Sequence, residues 1–128
     1  MTASKNLDPS KLRFIAMDMD GTILDEGYQL SPHVADTLKK LQNQGKKLII
    51  ATGRIYKAAK IVLADSFEPD AFVCTNGADI FGPDGTAIAY HHIPVEALPI
   101  LTEVGRRHDV LFCCYIGEQW IYDRYSPL

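Results

Sequence analysis

Two aspartates separated by one residue follow a short apolar segment near the start of the chain. Asp18 and Asp20 come directly after the apolar residues 14–17, and Gly21 and Thr22 follow them. Carboxylates this close repel each other unless a cation or a proton sits between them. Gly21 permits a tight turn and a close approach of the backbone to an anion. The pattern therefore indicates chemistry with a cation and an anion, although a polar turn closing a strand uses the same residue types.

Two further polar clusters follow apolar segments later in the chain. Residues 52–54 (Thr-Gly-Arg) come after the apolar residues 48–51, and residues 75–77 (Thr-Asn-Gly) come after residues 71–74. A threonine hydroxyl and the backbone amides at a helix start can donate to phosphate oxygens, and arginine makes charge-assisted bonds to anions. The alternatives are a helix cap for the first cluster and a tight Asn-Gly turn for the second.

A parallel sheet would bring these clusters together. The segments 14–17, 48–51 and 71–74 are short and apolar, which is typical of buried parallel strands. A Ser-Pro pair at residues 31–32 predicts a helix start and Gly45 predicts its end. The first two strands would then form a right-handed βαβ unit. Because open α/β sheets bind ligands at the carboxyl ends of their strands, the sequence predicts one shared site at that edge.

The pattern changes in the last third of the chain. Turn residues 83–85 separate two β-prone segments, a helix is expected between residues 95 and 108, and residues 117–118 separate two more strands. This order predicts a β-α-β-β unit with a different architecture. We therefore expect a first domain over residues 1–82 and a second over residues 83–128.

Composition narrows the class of protein. The 128 residues suffice for a domain with a real core, and 47% of them are hydrophobic. The net charge of −3, from 13 basic and 16 acidic residues, disfavours binding to nucleic acids or anionic membranes. No apolar stretch approaches membrane-spanning length, and the N-terminus lacks a signal-peptide core. The three cysteines show no metal-ligand spacing, so we expect mostly buried reduced thiols in a cytoplasmic protein.

The three motifs, in this order, resemble those of the haloacid dehalogenase superfamily. The Asn-Gly-Ala sequence at residues 76–78 is similar to that of its Cof-type sugar-phosphatase branch, and the resemblance extends from Leu12 onward. It implies an α/β fold: a partial Rossmann-like parallel sheet, the core of that superfamily, followed by the start of an α+β cap. It also implies a Mg²⁺-dependent phosphatase that hydrolyses small phosphorylated metabolites, with sugar phosphates as the leading class.

The resemblance assigns the two aspartates to catalysis. Asp18 would attack phosphorus and form an aspartyl-phosphate intermediate. Asp20 would protonate the leaving oxygen and later deprotonate the hydrolytic water. Mg²⁺ would bind the Asp18 carboxylate and the Asp20 backbone carbonyl, as a hard cation prefers oxygen ligands.

The resemblance also implies a set of phosphate and substrate contacts. Thr52 would hold the transferring phosphoryl group, with help from the backbone of Met19 and Gly53. Arg54 and Asn76 would lie at the rim of the same site and contact the substrate.

Two motifs of the superfamily are absent from this sequence. One supplies a lysine that neutralises the nucleophile and phosphate, and the other supplies acidic residues around a Gly-Asp pair. Lys60 is the last lysine, and no Gly-Asp pair follows Gly21. The resemblance therefore implies an N-terminal portion that ends inside the cap and lacks full activity. The alternatives are a non-catalytic, truncated half-domain and a phosphomutase of the same superfamily.

A partial core would also leave apolar surface uncovered. The strand at residues 14–17 would lose neighbours on one side, and an unpaired apolar strand edge tends to pair with another chain. We therefore expect self-association, through this edge or through swapped cap elements.

Overall fold

The computed structural model describes residues 8–117 and 119–124, which form two compact units. One unit ends at His91 and the other begins at His92. The strands of the first unit are β1 (Phe14–Met17), β2 (Lys47–Ala51), β3 (Ala71–Cys74), β4 (Asp79–Phe81) and β5 (Ala87–Tyr90). Its α-helices are α1 (Pro32–Asn43) and α2 (Tyr56–Leu63), and short 3-10 turns cover Pro9–Lys11 and Thr75–Gly77.

The parallel βαβ arrangement predicted from the sequence is confirmed. β1 pairs with β2 in parallel, with Phe14 opposite Lys47, and β2 pairs with β3 in parallel, with Ile49 opposite Ala71. These strands lie side by side in a sheet of order β1-β2-β3-β4-β5, so β1 forms one edge of it. The first three strands therefore all end on the same side of the sheet, which is its carboxyl edge.

Local signals set the bounds of α1. The Ser31 hydroxyl accepts a hydrogen bond from the Val34 amide at 3.3 Å, as expected of an N-terminal cap. At the other end Gly45 has a φ of 80°, a left-handed conformation that glycine adopts without a steric penalty. The Gly45 amide donates to the Gln42 carbonyl at 2.8 Å, and the Lys46 amide donates to the Leu41 carbonyl at 3.1 Å. The predicted helix start and stop are thus both confirmed.

The core of the first unit lies between the sheet and its helices. Leu48 and Ile50 of β2 are fully buried, and the intervening Ile49 is half-buried, which matches an alternating strand. The buried cluster also contains Met19, Ile23, Leu24, Leu30, Ala35, Leu38, Ala59, Leu63, Phe67, Phe72 and Cys74. Several of these residues precede or follow the strands, so packing also fixes the loops at the site.

A carboxylate fixes the other end of the parallel strands. Asp70, directly before β3, accepts hydrogen bonds from Lys47 Nζ at 2.8 Å, from the Leu48 amide at 2.9 Å and from Gln42 Nε2 at 3.2 Å. Its own amide donates to the Leu48 carbonyl at 2.8 Å. Burial alone would raise the pKa of Asp70, but the bonds from Lys47, Leu48 and Gln42 outweigh it and lower that pKa. Asp70 therefore joins α1, β2 and β3.

The strand β5 belongs to the sheet of the first unit, whereas the sequence predicted that it opens the β-α-β-β tail. β4 is antiparallel to β3, with Phe72 opposite Phe81 and Cys74 opposite Asp79, and β5 is antiparallel to β4. The tight turn after β3 returns the chain directly alongside it. The structural division therefore falls after His91 rather than after residue 82. The interpretation of the two units as core and cap stays a prediction.

The second unit contains one α-helix and one hairpin among its described residues. α3 (Leu98–Arg107) follows a 3-10 turn (Val95–Ala97) and has Pro99 in its first turn, as predicted. The strands β6 (Cys113–Ile116) and β7 (Gln119–Tyr122) are antiparallel. Glu118, in the predicted turn, lies outside the described residues.

The cysteines and helices bear on two other expectations. Cys74 is buried, Cys114 is half-buried and Cys113 is exposed, so the expectation of mostly buried thiols is wrong for Cys113. All three are free thiols. None of the described helices is long and apolar enough to cross a bilayer. The cytoplasmic location stays a prediction.

Candidate active site

The polar residues that follow β1, β2 and β3 surround one cavity at the carboxyl edge of these strands. Its volume is about 330 Å³, and it is lined by Asp18, Ala51, Thr52, Gly53, Val73, Asn76 and Gly77. The structure thus brings together four residues that the sequence assigned to a site, namely Asp18, Thr52, Gly53 and Asn76. Met19, Asp20 and Arg54 do not line this cavity. The roles of all seven stay predictions at this point.

A tight turn after β1 separates the two aspartates. Met19 is fully buried, whereas Asp18 and Asp20 on either side of it are exposed. The Met19 carbonyl accepts hydrogen bonds from the amides of the residues at positions 22, 23 and 24, at 3.2, 3.1 and 3.0 Å. Gly21 has a φ of 73°, which explains why glycine stands in this turn. Burial of Met19 therefore anchors the turn and leaves the residues on either side of it exposed.

Thr52 is held so that its hydroxyl proton remains available. Its side chain is buried, its amide donates to the Val73 carbonyl at 2.9 Å, and its carbonyl accepts from the Asn76 amide at 3.1 Å. The Thr52 hydroxyl oxygen accepts from the Arg54 amide at 3.2 Å. A hydroxyl that accepts one bond keeps its own proton for a second partner. Thr52 can therefore donate to an anion in the cavity. The alternative of a helix cap is wrong, because α2 begins at Tyr56 and its N-cap residue is Ile55.

The segment after β3 adopts an unusual backbone conformation. Thr75, Asn76 and Gly77 have φ values of 51°, 55° and 97°. For a β-branched residue such as Thr75 this conformation is strained, and such strain persists only where surrounding contacts enforce it. The Thr75 amide donates to the Arg54 carbonyl at 3.0 Å, and its hydroxyl donates to Asp79 Oδ2 at 3.0 Å. The turn predicted at residues 75–77 is therefore present. It lies within the site and holds the 52–54 loop in place.

Gly53 and Asn76 lie against each other. A Cβ atom at position 53 would approach Asn76 Oδ1 to 3.1 Å, which is tighter than an ordinary van der Waals contact. Glycine at position 53 therefore leaves room for the Asn76 amide at the cavity wall.

Arg54 is paired with Asp20 in a two-bond ion pair. Its Nε donates to Asp20 Oδ2 at 2.9 Å, and its Nη2 donates to Asp20 Oδ1 at 2.6 Å. These hydrogen bonds lower the pKa of Asp20 and raise the pKa of Arg54. The guanidinium carbon also lies 5.5 Å from the centre of the Tyr28 ring. The expected rim arginine is thus held beside one of the two aspartates.

Tyr28 and Asp25 are site neighbours that sequence reasoning missed. Asp25 Oδ1 accepts hydrogen bonds from the amides of Gly27 and Gln29, both at 2.9 Å, and the Tyr28 amide donates to the Asp25 carbonyl at 3.0 Å. The Asp-x-Gly spacing of residues 25–27 is typical of a turn closed by an aspartate side chain, so a local signal was present. No local signal indicated that this turn carries a ring to Arg54.

The donor set fits a magnesium ion in part. The described residues contain no group of three or more His, Cys, Asp or Glu side chains that could hold a metal. Both carboxylate oxygens of Asp20 already accept from Arg54. The resemblance assigns the ion to the Asp18 carboxylate and the Asp20 backbone carbonyl, and this assignment stays a prediction. Such an incomplete oxygen shell suits Mg²⁺ more than zinc, because Mg²⁺ commonly retains several waters.

Positive charge at this edge comes from Arg54. Lys60, the last lysine of the sequence, lies elsewhere in the first unit. It donates to Glu68 Oε1 and to the Pro83 carbonyl, both at 2.9 Å. Lys60 therefore does not replace the lysine that the resemblance implies and the sequence lacks.

Comparison with known proteins identifies the family. Residues 15–126 match the haloacid dehalogenase-like hydrolase family. The chain therefore belongs to this family, and the resemblance drawn from its motifs is confirmed.

Individual relatives agree with this assignment. A putative phosphatase from Buchnera aphidicola is 30% identical over 107 residues, which cover 83% of this chain and 40% of that protein. The 5-amino-6-(5-phospho-D-ribitylamino)uracil phosphatase YitU of Bacillus subtilis is 25% identical over 103 residues, which cover 79% of this chain and 38% of that protein. The chain thus spans about 40% of the length of the curated relatives it matches.

A solved structure shows the same fold. A phosphatase of the haloalkanoate (HAD) enzyme superfamily from Bacteroides thetaiotaomicron superposes with a TM-score of 0.81 and 28% sequence identity. The match covers 97% of this chain and 47% of that protein. The predicted α/β fold class is thereby confirmed, with a sheet that mixes parallel and antiparallel strands.

Proposed function

We propose that this chain carries the phosphoryl-transfer half of a Mg²⁺-dependent phosphatase of the Cof type. The observation that carries the proposal is the cavity at the carboxyl edge of β1–β3, which Asp18 and the Thr52 loop both line. A cavity with a carboxylate, a hydroxyl donor and an amide suits a phosphate group in which one oxygen is bound while phosphorus is attacked. The name of the Bacillus subtilis relative supports small phosphorylated metabolites as substrates, and sugar phosphates remain the class that the motifs favour.

In the first step an Asp18 oxygen attacks phosphorus and the bond from phosphorus to the leaving oxygen breaks. Asp20 gives its proton to that leaving oxygen, which departs as an alcohol. The Thr52 hydroxyl donates to a phosphoryl oxygen, and the backbone at Gly53 lies in the same loop. The product of this step is an acyl phosphate on Asp18.

In the second step water attacks phosphorus and the bond from phosphorus to Asp18 breaks. Asp20, now a carboxylate, accepts the proton of that water, so both aspartates return to their initial states. A bound Mg²⁺ would offset the negative charge of phosphate and carboxylate as they approach. The Asp18 carboxylate and the Asp20 backbone carbonyl would hold it.

Hydrolysis of a generic phosphate ester tests this proposal. We expect the chain to release phosphate slowly from p-nitrophenyl phosphate with Mg²⁺, because two motifs of the superfamily are absent, and to stop when a chelator is added. Asp18→Asn should lower the rate at least about 100-fold, because it removes the nucleophile. The matched control is Asp36→Asn, an exposed carboxylate on α1, which should leave the rate unchanged.

The results of such assays distinguish a phosphatase from a phosphomutase and from a non-catalytic half-domain. Acid quenching during turnover should leave a phosphoryl group attached to Asp18, detected as a mass increase on the peptide that contains it. Transfer of phosphate to a second hydroxyl of a sugar, instead of to water, would indicate a phosphomutase. Absence of turnover in a folded chain would overturn the catalytic proposal and leave a non-catalytic half-domain.

We also propose that the chain self-associates through the free edge of β1. Phe14 on this strand is 65% exposed, and β1 has a partner on one side only among the described strands. Edge strands of this kind present unpaired backbone groups to other chains. Light scattering at tens of micromolar should show dimers or larger species, and a monodisperse monomer would contradict this proposal.

A further inference from the structure

Several hydrogen bonds define the conformation of the turn at residues 25–29. Besides the two amides bound by Asp25 Oδ1, the Asp25 amide donates to the Gln29 carbonyl at 3.1 Å. The turn is connected to the strand end through Leu24, which is buried and whose amide donates to the Met19 carbonyl at 3.0 Å. The chain from the catalytic motif to Gln29 is thus hydrogen-bonded at both ends.

This turn holds Tyr28 in a conformation that its residue type disfavours. Tyr28 has a φ of 58°, and a bulky residue in this region indicates strain or a functional constraint. Tyr28 is 59% exposed, so burial of apolar surface does not account for its position. One face of the ring lies near the Arg54 guanidinium, at 5.5 Å from ring centre to Cζ. That distance falls within the range of a cation–π interaction.

Arg54 donates hydrogen bonds to Asp20 while its guanidinium lies near the Tyr28 ring. Its Nε and Nη2 bind the two Asp20 oxygens at 2.9 and 2.6 Å, and its side chain is 25% exposed. A planar guanidinium stacked on a ring keeps its donor edge free for a carboxylate. Ring, guanidinium and carboxylate therefore form a continuous series of contacts from Tyr28 to Asp20.

We propose that Tyr28 is a positioning residue, which fixes the Arg54 guanidinium and through it the orientation of the Asp20 carboxylate. This inference rests on the proposed function, because it concerns the group that would exchange a proton with the leaving oxygen and with water. Tyr28 itself lies outside the set of residues that line the cavity. Its effect is therefore on the geometry of proton transfer rather than on phosphate binding.

The Nε–H signal of Arg54 in nitrogen-15 NMR spectra of the full chain tests the inference without turnover. Tyr28→Leu keeps an apolar side chain in the same strained position but removes the aromatic face. We expect it to increase hydrogen exchange at Arg54 Nε about 2- to 5-fold, the factor that an exposed cation–π contact supplies. Tyr28→Phe keeps the ring and should leave exchange unchanged, and Tyr28→Trp should slow it. Arg54→Lys assigns the signal.

Two results would overturn the inference. One is a Tyr28→Leu variant whose Arg54 signal and exchange match those of the unsubstituted chain. The other is equal exchange in the Phe and Trp variants and in a folded Leu variant, since ring type would then not matter. If Tyr28→Leu fails to fold, hydrogen exchange at Arg54 Nε in the other two variants still decides. Slower exchange in Tyr28→Trp than in Tyr28→Phe supports the inference, and equal exchange overturns it.

Activity gives a second readout that separates this inference from the proposed function. Tyr28→Leu should lower kcat several-fold and leave KM nearly unchanged, and Tyr28→Phe should restore kcat. A rise in KM with constant kcat would assign Tyr28 to substrate binding and overturn the positioning role. An unsubstituted chain without turnover would refute the proposed function, while the NMR comparison would still decide whether Tyr28 fixes Arg54.

Discussion

Removal of the Asp70 carboxylate should destabilise the first unit without touching the cavity. Asp70 accepts the amide of Leu48, a fully buried residue, and contacts Lys47 and Gln42, at the opposite end of the parallel strands from Asp18. Asp70→Ala leaves that amide without an acceptor, which costs about 1–3 kcal/mol. The Lys47 side chain is 60% exposed, so its ion pair adds only about 0–1 kcal/mol. The expected total is about 1–4 kcal/mol.

Asp70→Asn separates the charge from the hydrogen bond. Its amide oxygen can still accept from Leu48, so the loss should be about 1 kcal/mol, the difference between a charge-assisted and a neutral bond. The folded-state pKa of Asp70 lies below its usual value of 3.8. The unfolded chain therefore binds a proton first as the pH falls, and the stabilisation by Asp70 is present above the unfolded pKa. It is lost as the pH falls through the folded pKa, so the unsubstituted chain and Asp70→Asn should converge there.

Urea denaturation followed by far-UV circular dichroism measures these differences. Fluorescence is unsuitable, because the chain's one tryptophan, Trp120, lies in the second unit. Hydrogen exchange of the Leu48 amide reports the same loss at a single site. Asp65→Asn, an exposed carboxylate between α2 and β3, is the matched control and should change stability by less than about 0.5 kcal/mol. An Asp70→Ala variant as stable as this control would refute the reasoning.

Three further predictions concern the site and the sheet edge. Gly53→Ala should be neutral or destabilising in the unsubstituted chain but should stabilise an Asn76→Gly variant by about 0.5 kcal/mol, because the contact with Asn76 Oδ1 is then gone. Urea denaturation measures both effects, and equal effects in the two backgrounds would show that residues 53 and 76 do not meet. Thr52→Val should cost about 1–3 kcal/mol more than Thr52→Ser in the same assay, since only serine keeps an acceptor for the Arg54 amide; equal losses would argue against that bond. Phe14→Lys should shift light scattering toward monomer, because lysine on an edge strand disfavours pairing, and an unchanged distribution would place self-association elsewhere.

Elements with a strong local signal could be predicted from the sequence. The parallel strands are short apolar segments, and α1 has a capping serine at one end and Gly45 at the other. The meeting of Asp18 and Thr52 then follows from topology alone, because parallel strands end at the same edge. These are the parts of the site that depend on where a strand ends.

The remaining features depend on choices that no local pattern encodes. The β4–β5 hairpin has the same alternation whether it extends the first sheet or begins another, and only its pairing with β3 decides. The pair of Arg54 and Asp20 joins residues 34 positions apart through side-chain orientation. The position of Tyr28 depends on a left-handed backbone conformation held by Asp25. Sequence spacing predicted the residue types at the site but not their partners.

Those partners give the two aspartates different environments, which is how paired carboxylates acquire different roles. Asp18 lines the cavity, where a nucleophile must be exposed to phosphorus, and the carboxylate of Asp20 is bound on both oxygens by Arg54. The same ion pair favours the ionised form of Asp20, which suits the acceptance of a proton from water but opposes its donation to a leaving group. Bound phosphate opposes this effect, because negative charge nearby raises the pKa of a carboxyl, so Asp20 can donate its proton with substrate present while Arg54 stays on it. Inorganic phosphate added with Mg²⁺ should accordingly shift the Arg54 Nε–H signal in the unsubstituted chain and shift it less in Thr52→Val, since both changes depend on phosphate entering the same cavity.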